Sequence, residues 1–387
     1  MTNNWNLLGN AWAVDMLRRH VAAGEARHAY LFLGPPGVGR RTLALRFAQA
    51  LNCANPPAPG EFCGECRDCR EIAARRHPDL SVVEPTVLNP DNRKELIPAR
   101  YGEIRISQIR ELQRLINLKP FQARWRVVVC ERFNQANIEA SNAFLKTLEE
   151  PPARVIILLT ADTPESLLPT IVSRCEALRL RPLPIEAVKR ELENRGVESG
   201  QAELIAHVSG GRPGYALQLA EDKSLLEFRR QKLDDLVRLV SAARVDKFAY
   251  AEKLAKDKDA LRQTLLVWET FWRDALLRAS KADSPVLNVD RLDELDAQAA
   301  RLGLTGTRRR VTEAGRALRQ AERNVNARLL LEVLLVRPGP AGRESNPRSP
   351  KEPAPRPRAV RASPCVPRRG RRPAARRGCG RVKIPNT

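Results

Sequence analysis

Apolar positions in the first 180 residues follow two spacings, one typical of amphipathic helices and one of short, continuous, buried strands. The strand-like runs are rich in β-branched residues, and Gly and Pro punctuate the segments between them. Because strands that alternate with helices build parallel sheets, residues 1–180 are predicted to form a parallel α/β domain. The predicted helices are Ala11–Ala23, Thr42–Leu51 and Ile138–Glu150, and the predicted strands are Ala29–Leu33, Val127–Cys130 and Val155–Thr160.

The strand-like runs then stop, and the pattern that follows is helical only. Helical spacing over Ile185–Asn194 and Gln201–Val208 predicts a small helical domain, which we place at residues 181–224. Longer amphipathic patterns predict a third, all-helical domain at residues 225–336. We therefore expect three compact domains in a chain of 387 residues.

The formal net charge of +22 is concentrated at one end of the chain. Residues 337–387 carry 15 Lys and Arg against two Asp and Glu, so the rest of the chain is only moderately basic. The same stretch is rich in Pro, Arg, Gly and Ala and has almost no aromatic residues, which is typical of a disordered tail. A basic arm for nucleic acid and an extension without function are alternative interpretations of it.

The N-terminus and the cysteines indicate a compartment. No apolar run approaches the roughly 18 residues that a membrane span needs, and Met1–His20 mixes polar and charged residues among its apolar ones. Eight cysteines would suit a secreted disulfide protein, but four of them crowd into one short stretch with metal-ligand spacing. We therefore expect a cytoplasmic protein with no membrane segment.

The loop Gly34–Thr42 has the glycine spacing of a Walker A phosphate loop between a predicted strand and a predicted helix. Its side chains depart from the motif. Arg40 stands where the motif has Lys, and Arg41 stands where it has the Ser or Thr that holds magnesium. The candidate nucleotide-binding residues of this degenerate loop are Gly34, Gly37, Gly39, Arg40 and Thr42.

The second half of an ATP site is also altered. The predicted strand Val127–Cys130 ends in Glu131, which suits the magnesium-binding acid, but Arg132 follows where the acid that activates water belongs. An arginine cannot accept a proton from water. These changes predict that the chain does not hydrolyse ATP. Three interpretations of the loop stay open. It could be a Gly-rich turn without nucleotide, it could bind nucleotide without turnover, or, against the prediction, it could take part in ATP hydrolysis.

Four cysteines follow the helix after the phosphate loop with the spacing C-x9-C-x2-C-x2-C. Four thiolates with this spacing can close a tetrahedral zinc site that has no open position, so the predicted zinc is structural. Two disulfides or free thiols are the alternatives. The predicted ligands are Cys53, Cys63, Cys66 and Cys69, whereas Cys130, Cys175, His20, His28, His77 and His207 are scattered and are interpreted as structural.

Several segments carry a resemblance to a known family. Ser141–Pro152 is similar to a segment that the AAA+ clamp-loader subunits of bacterial DNA polymerase III share, and Ser173–Cys175 looks like their Ser-Arg-Cys motif. The segments Ile104–Lys119 and Arg323–Ala327 also resemble the family. The resemblance covers about residues 5–336 and leaves the tail outside.

A disrupted phosphate loop combined with a zinc module and the Ser-Arg-Cys arginine resembles the delta-prime type of that family. The resemblance implies an AAA+ domain, a helical lid and a helical collar that joins subunits into an open ring. It also implies that Arg174 acts in trans as an arginine finger on the ATP of a neighbouring gamma/tau subunit. The delta subunit, the sliding clamp and primed DNA are the other implied partners, and Arg212 resembles a lid position that senses nucleotide.

Two other functions compete with this interpretation. The chain could be a gamma/tau-like ATPase in which Arg40 replaces the lysine and Thr42 holds magnesium after a shift of the loop by one residue. It could also be a DNA-binding protein that acts through its basic tail, with an affinity that falls steeply with salt.

Overall fold

The structure, a computed structural model, describes residues 5–89, 95–99, 102–321 and 325–336. Within these residues a five-stranded sheet comes first, with helices interspersed, and only helices follow it. The parallel α/β class predicted for the first part of the chain is confirmed. Arg323, Asn324 and the tail of residues 337–387 lie outside the described residues, so the predictions made for them stay predictions.

The elements are numbered in chain order. The strands are β1 (Ala29–Leu33), β2 (Leu80–Val83), β3 (Thr86–Leu88), β4 (Leu96–Pro98), β5 (Arg126–Cys130), β6 (Val155–Ala161) and β7 (Glu176–Arg179). The helices are α1 (Ala11–Ala23), α2 (Arg40–Asn52), α3 (Arg67–Ala73), α4 (Ile106–Ile116), α5 (Ile138–Glu149), α6 (Pro169–Val172), α7 (Ile185–Asn194), α8 (Ser199–Ser209), α9 (Pro213–Glu221), α10 (Lys223–Ser241), α11 (Arg244–Leu254), α12 (Lys258–Ser280), α13 (Leu292–Ala321) and α14 (Ala327–Val336). Short 3-10 turns occupy Phe133–Gln135, Pro164–Ser166 and Val289–Arg291.

The five long-range strands pair in parallel in the order β2-β5-β6-β1-β7. Every residue of β1, β5 and β6 is buried, as expected for strands that are covered on both faces. Because all five strands point the same way, their carboxyl ends meet at one edge, and the loops that follow β1, β5 and β6 converge there. Strands β3 and β4 form a separate antiparallel pair that the sequence pattern did not predict.

The two faces of the sheet belong to two apolar cores. Side chains such as Tyr30 pack on one face with Leu17 and Phe47 of helices α1 and α2. Leu31 points to the opposite face, where the core includes Phe144 of α5. This alternation along β1 is the period of two that a strand imposes on its side chains. The sheet is therefore covered by helices on both faces.

The helices after the sheet build two further apolar clusters. Residues of α7, α8 and α9 surround Ile205, whereas residues of α10 to α14 surround Trp268 and Phe271. The boundaries of the three domains stay predictions. Among the described residues, no helix is both long enough and apolar enough to cross a membrane.

A buried ion pair fixes the loop that leads into β5. Asp79, the residue before β2, lies 3.1 Å from the Arg126 guanidinium and is buried. Its two carboxylate oxygens also accept backbone N–H groups from Phe121, Gln122 and Ala123 at 2.7 to 2.9 Å. Arg126 also donates to the carbonyls of Leu115 in α4 and Lys119 in the loop, so both charges of the buried pair are compensated by neighbouring groups.

We predict that Asp79→Ala lowers the free energy of unfolding by about 3–5 kcal/mol, because Arg126 is left as a buried charge without its partner. Denaturant unfolding followed by circular dichroism measures this. The control is Asp15→Ala, which removes an exposed carboxylate from its pair with Arg18 and should cost less than about 1 kcal/mol. Equal losses of unfolding free energy in the two variants would contradict the stabilising role of the buried Asp79–Arg126 pair.

The same pair has a pH dependence. Burial alone would raise the pKa of Asp79, but hydrogen bonds from Gln122, Phe121 and Ala123, together with Arg126, hold it below its ordinary value. The stability that this carboxylate contributes is therefore present above its unfolded pKa and is lost as the pH falls through the folded pKa. The difference in the free energy of unfolding between wild type and Asp79→Asn should therefore become smaller as the pH falls through the folded pKa of Asp79.

Candidate functional site

The glycine loop follows β1 at the carboxyl edge of the sheet and runs directly into α2, as a phosphate loop does. Gly37 and Gly39 have φ angles of 86° and 106°, which favour glycine at both positions. The Gly34 N–H donates to the carbonyls of Ala161 and Asp162 at the end of β6. The backbone therefore has the path predicted for Walker A, and its side chains decide what it can bind.

Arg40, the first residue of α2, is buried, and its side chain reaches Asp162, the residue after β6. Its Nη1 lies 2.8 Å from Oδ1 of Asp162, in an ion pair that lacks the alignment of a hydrogen bond. A positive charge in the first turn of a helix is unfavourable because the helix dipole already places partial positive charge there. Asp162 supplies the compensating charge from inside the protein.

Glu131, which follows β5 as predicted, is buried and carries two guanidinium partners. Nε of Arg41 lies 3.1 Å from its Oε1, and Nη2 of Arg75 lies 2.8 Å from the same oxygen. Arg41 comes from the phosphate loop, and Arg75 comes from the segment after the cysteines. A magnesium ion at this carboxylate would compete with both guanidinium groups for its charge and would be repelled by their positive charges.

The other two positions of the ATP motifs, Arg132 and Thr42, do not supply a substitute for a free Glu131 carboxylate. The Arg132 N–H donates to Oγ1 of Thr160 at 2.8 Å, and its Nη2 donates to the Ala99 carbonyl at 3.3 Å. Arg132 therefore fastens the end of β5 to β6 and to the segment after β4. The side chain of Thr42, in the first turn of α2, is exposed.

Helix α9 packs directly on the phosphate loop. The Gly214 N–H donates to the Gly37 carbonyl at 2.8 Å, and a Cβ at Gly37 would lie 2.8 Å from the Cβ of Tyr215. Arg212 donates through Nε to the Ser209 carbonyl, and its guanidinium lies 4.7 Å from the centre of the Tyr215 ring. Arg212 thus has partners within the helical segment α8–α9. The cleft beside the loop has a volume of about 2100 Å³, and Arg40, Glu131 and Tyr215 are among its lining residues.

Arg174 lies just after the short helix α6 and does not line this cleft. Its Nη1 donates to the Thr170 carbonyl at 2.8 Å and, more weakly, to Oγ of Ser173 at 3.5 Å. Its Nη2 donates to Oε1 of Glu149 at 2.5 Å. One third of the side chain is exposed, so the guanidinium can be reached from outside while the protein holds its position.

The four predicted metal ligands lie together, with all of their Sγ atoms within 4.8 Å of one another. Sγ of Cys63 lies 3.5 Å from that of Cys53 and 4.0 Å from that of Cys69. Four sulfurs around a zinc ion at about 2.3 Å would lie about 3.8 Å apart. The donor set therefore fits one metal ion, which Cys53, Cys63, Cys66 and Cys69 would hold.

Backbone groups favour thiolates in this cluster. The N–H groups of Cys63, Cys66 and Cys69 point at the Sγ atoms of Cys53, Cys63 and Cys66 at 3.2 to 3.4 Å. The hydrogen bonds from Cys66 and Glu65 lower the pKa of the Cys63 thiol to about 6, whereas burial raises the pKa of Cys53 and Cys69. Because a metal ion lowers the pKa of thiols that bind it, it would offset the burial penalty.

Several partner residues were not identified from the sequence. Asp162 follows a strand at the carboxyl edge, and that position could have indicated it. Arg75 has a left-handed backbone at φ 60°, for which its sequence gives no signal. Glu149 lies within the segment that resembles clamp-loader subunits, but nothing there indicates a pairing with Arg174 across 25 residues.

Comparisons with known proteins point to one family. A family model described as DNA polymerase III, delta subunit, matches residues 9–184. DNA polymerase III subunit delta′ of Pseudomonas aeruginosa is 32% identical over 329 residues, which cover 81% of this chain and 93% of that protein. The chain belongs to the DNA polymerase III delta′ family. Delta′ of Bacillus subtilis is 26% identical and covers 84% of this chain and 94% of its own length.

Other relatives carry the names of further DNA polymerase III subunits. DNA polymerase III subunit gamma/tau of Mycobacterium tuberculosis is 30% identical over 81% of this chain, but the match covers only 57% of the gamma/tau protein. A solved gamma subunit-related protein of Thermotoga maritima is 20% identical and covers 83% of this chain and 97% of its own. Its TM-score is 0.43.

The cysteine cluster generates a prediction. The purified delta′ family protein should contain about one metal ion per chain, and Cys66→Ser should lower that content because it removes one of four thiolates. Elemental analysis of the purified protein measures it. Cys175→Ser, outside the cluster, should keep the wild-type content. Unchanged metal in the Cys66 variant would show that these cysteines are not the ligands.

Proposed function

We propose that this protein is a clamp-loader subunit of DNA polymerase III that does not hydrolyse ATP itself and acts on the ATP of a neighbouring subunit. The observation that carries the proposal is that the acids of the candidate ATP site are paired with arginines of the same chain. Asp162 pairs with Arg40, and Glu131 pairs with Arg41 and Arg75, so the two acids at the strand ends are already neutralised.

In this proposal the phosphate loop has a structural role. Its anion-binding backbone remains, but two arginines stand in the first turn of α2, and Gly214 and Tyr215 of α9 lie against the loop. Loss of ATP turnover follows from the pairing of Glu131, because phosphoryl transfer needs magnesium and an oriented water. Nucleotide binding by the loop is a separate property, because a nucleotide can be bound without being hydrolysed.

Arg174 would be the residue that acts in trans. A guanidinium presented at an interface stabilises the negative charge that builds on the phosphates during hydrolysis. Arg174 is accessible and lies outside the cleft beside its own phosphate loop, which suits a residue whose substrate belongs to another chain. The partners proposed for this role are gamma/tau and delta subunits in a cytoplasmic replication complex, with the sliding clamp and primed DNA bound through the complex.

We further propose zinc as the metal of the cysteine cluster. Four thiolates close a tetrahedron and leave no position for water or substrate, so a zinc ion there would be structural. It would tie Cys53, at the end of α2, to Cys66 and Cys69 at the start of α3. Arg75 follows α3, so the module would also help to place the side chain that pairs with Glu131.

The isolated protein should hydrolyse no ATP above background, because the acid that would bind magnesium is paired with two arginines. A coupled assay of ADP release measures the turnover. A Gly39→Glu variant, which blocks the loop, controls for contaminating ATPases. Activity in the wild-type chain that disappears in the Gly39→Glu chain would support the gamma/tau-like alternative.

Arg174→Ala should leave folding and assembly intact and lower the ATPase activity of a complex reconstituted with gamma/tau and delta. Loss of an arginine finger costs on the order of 10³-fold or more at the site it serves. Total activity should fall only in part, because the other ATP sites of the complex continue to turn over. Activity stimulated by DNA and clamp is the measurement.

The matched variant is Arg174→Lys. It keeps the charge but loses the two-pronged guanidinium geometry, so it should restore little of the activity. Wild-type ATPase activity in an Arg174→Ala complex, at equal assembly, would contradict the trans-acting role and leave the subunit with a structural role only.

A further inference from the structure

Glu149 is the acidic partner of Arg174. It is the last residue of α5, and its Oε1 accepts a hydrogen bond from Nη2 of Arg174 at 2.5 Å. On the other side, Nη1 of the same guanidinium donates to the Thr170 carbonyl at 2.8 Å. The guanidinium is therefore held at two of its nitrogens by two different elements, α5 and α6.

Both elements are anchored in one apolar core, so packing fixes the distance between the paired groups. Leu148, next to Glu149, and Phe144, one turn earlier, are fully buried in this core. Ile171 of α6 is buried in the same core. Because close-packed cores keep backbones in place, the carboxylate and the guanidinium approach each other without a large movement of either helix.

The pair leaves part of the guanidinium available. Arginine has five N–H donors, and the acceptors found for Arg174 among the described residues are Thr170, Ser173 and Glu149. These use Nη1 and one hydrogen of Nη2, so the Nε–H and the second Nη2–H have no acceptor within the described part of the chain. A phosphate oxygen pair can therefore be contacted while Glu149 stays bound.

The pair contributes little to folding. Glu149 is about half exposed and Arg174 one third exposed, and ion pairs in such positions stabilise proteins by roughly 0–1 kcal/mol. Its larger effect is on the arginine side chain, whose many rotamers are reduced to one orientation. Since a finger must be oriented before the neighbouring site can turn over, this ordering acts on the reaction rather than on stability.

We propose that Glu149 is a positioning residue that orients the Arg174 guanidinium for contact with the phosphates of the neighbouring subunit. This inference rests on the proposed function of Arg174. In it, Glu149 touches neither nucleotide nor water. It acts only through Arg174, and it stays in place when the finger docks.

The test is Glu149→Gln in the complex with gamma/tau and delta, at saturating ATP with DNA and clamp. A loss of orientation that slows the served site about two- to fivefold would remove about one half to four fifths of the activity that Arg174→Ala removes. The KM for ATP and the amount of assembled complex should not change. The double variant with Arg174→Ala should be no slower than Arg174→Ala alone, since Glu149 acts through the arginine.

The matched control is Glu150→Gln, which removes the same charge one residue later from an exposed side chain that has no ion pair among the described residues. It should behave as wild type. Wild-type turnover in Glu149→Gln, with a clear loss in Arg174→Ala, would overturn the positioning role and leave the proposed function standing. Faster turnover in Glu149→Gln would also overturn it, because the carboxylate would then compete with phosphate. Wild-type ATPase activity in the Arg174→Ala complex would contradict both proposals.

Discussion

Two positive charges in the first turn of α2 constrain the whole carboxyl edge of the sheet. Arg40 and Arg41 stand where the helix dipole and the loop N–H groups already favour an anion, so each needs a carboxylate nearby. The parallel sheet supplies these carboxylates, because Glu131 follows β5 and Asp162 follows β6 at the same edge as the loop. The pairs at Glu131 use the acid with which an ATP site would hold magnesium, and the pair at Asp162 compensates the charge of Arg40.

This arrangement keeps the fold of a phosphate-binding domain while its acids are paired with arginines. The glycine loop, the sheet and the packing of α9 on Gly37 remain those of a phosphate-binding domain. Arg174, the proposed trans-acting residue, lies outside the cleft beside the loop and is held by Glu149 and Thr170. A protein that keeps an ordered arginine and neutralises its own acids is suited to act on a site in another subunit.

Much of the fold could be predicted from local sequence patterns. The strand Ala29–Leu33 and the helix Ile185–Asn194 have the predicted bounds, because each is a clean apolar run or a periodic segment with clear ends. The β3–β4 pair was missed, since strands of three residues that are largely exposed carry almost no pattern. The cysteine cluster was predicted because its geometry depends mainly on spacing within 17 residues, Cys53 to Cys69.

The ion pairs of the candidate site could not be predicted in the same way. The pairing of Arg40 with Asp162 depends on which strands are neighbours, and that of Arg174 with Glu149 on how α5 and α6 share a core. The most direct test of the account is a structure of the complex with gamma/tau and delta bound to a non-hydrolysable ATP analogue. We expect the Arg174 guanidinium within hydrogen-bonding distance of the terminal phosphate of the neighbouring subunit, with Arg40 and Arg41 still paired to Asp162 and Glu131. A magnesium nucleotide bound at Glu131, or Arg174 directed away from the neighbouring phosphates, would contradict the account.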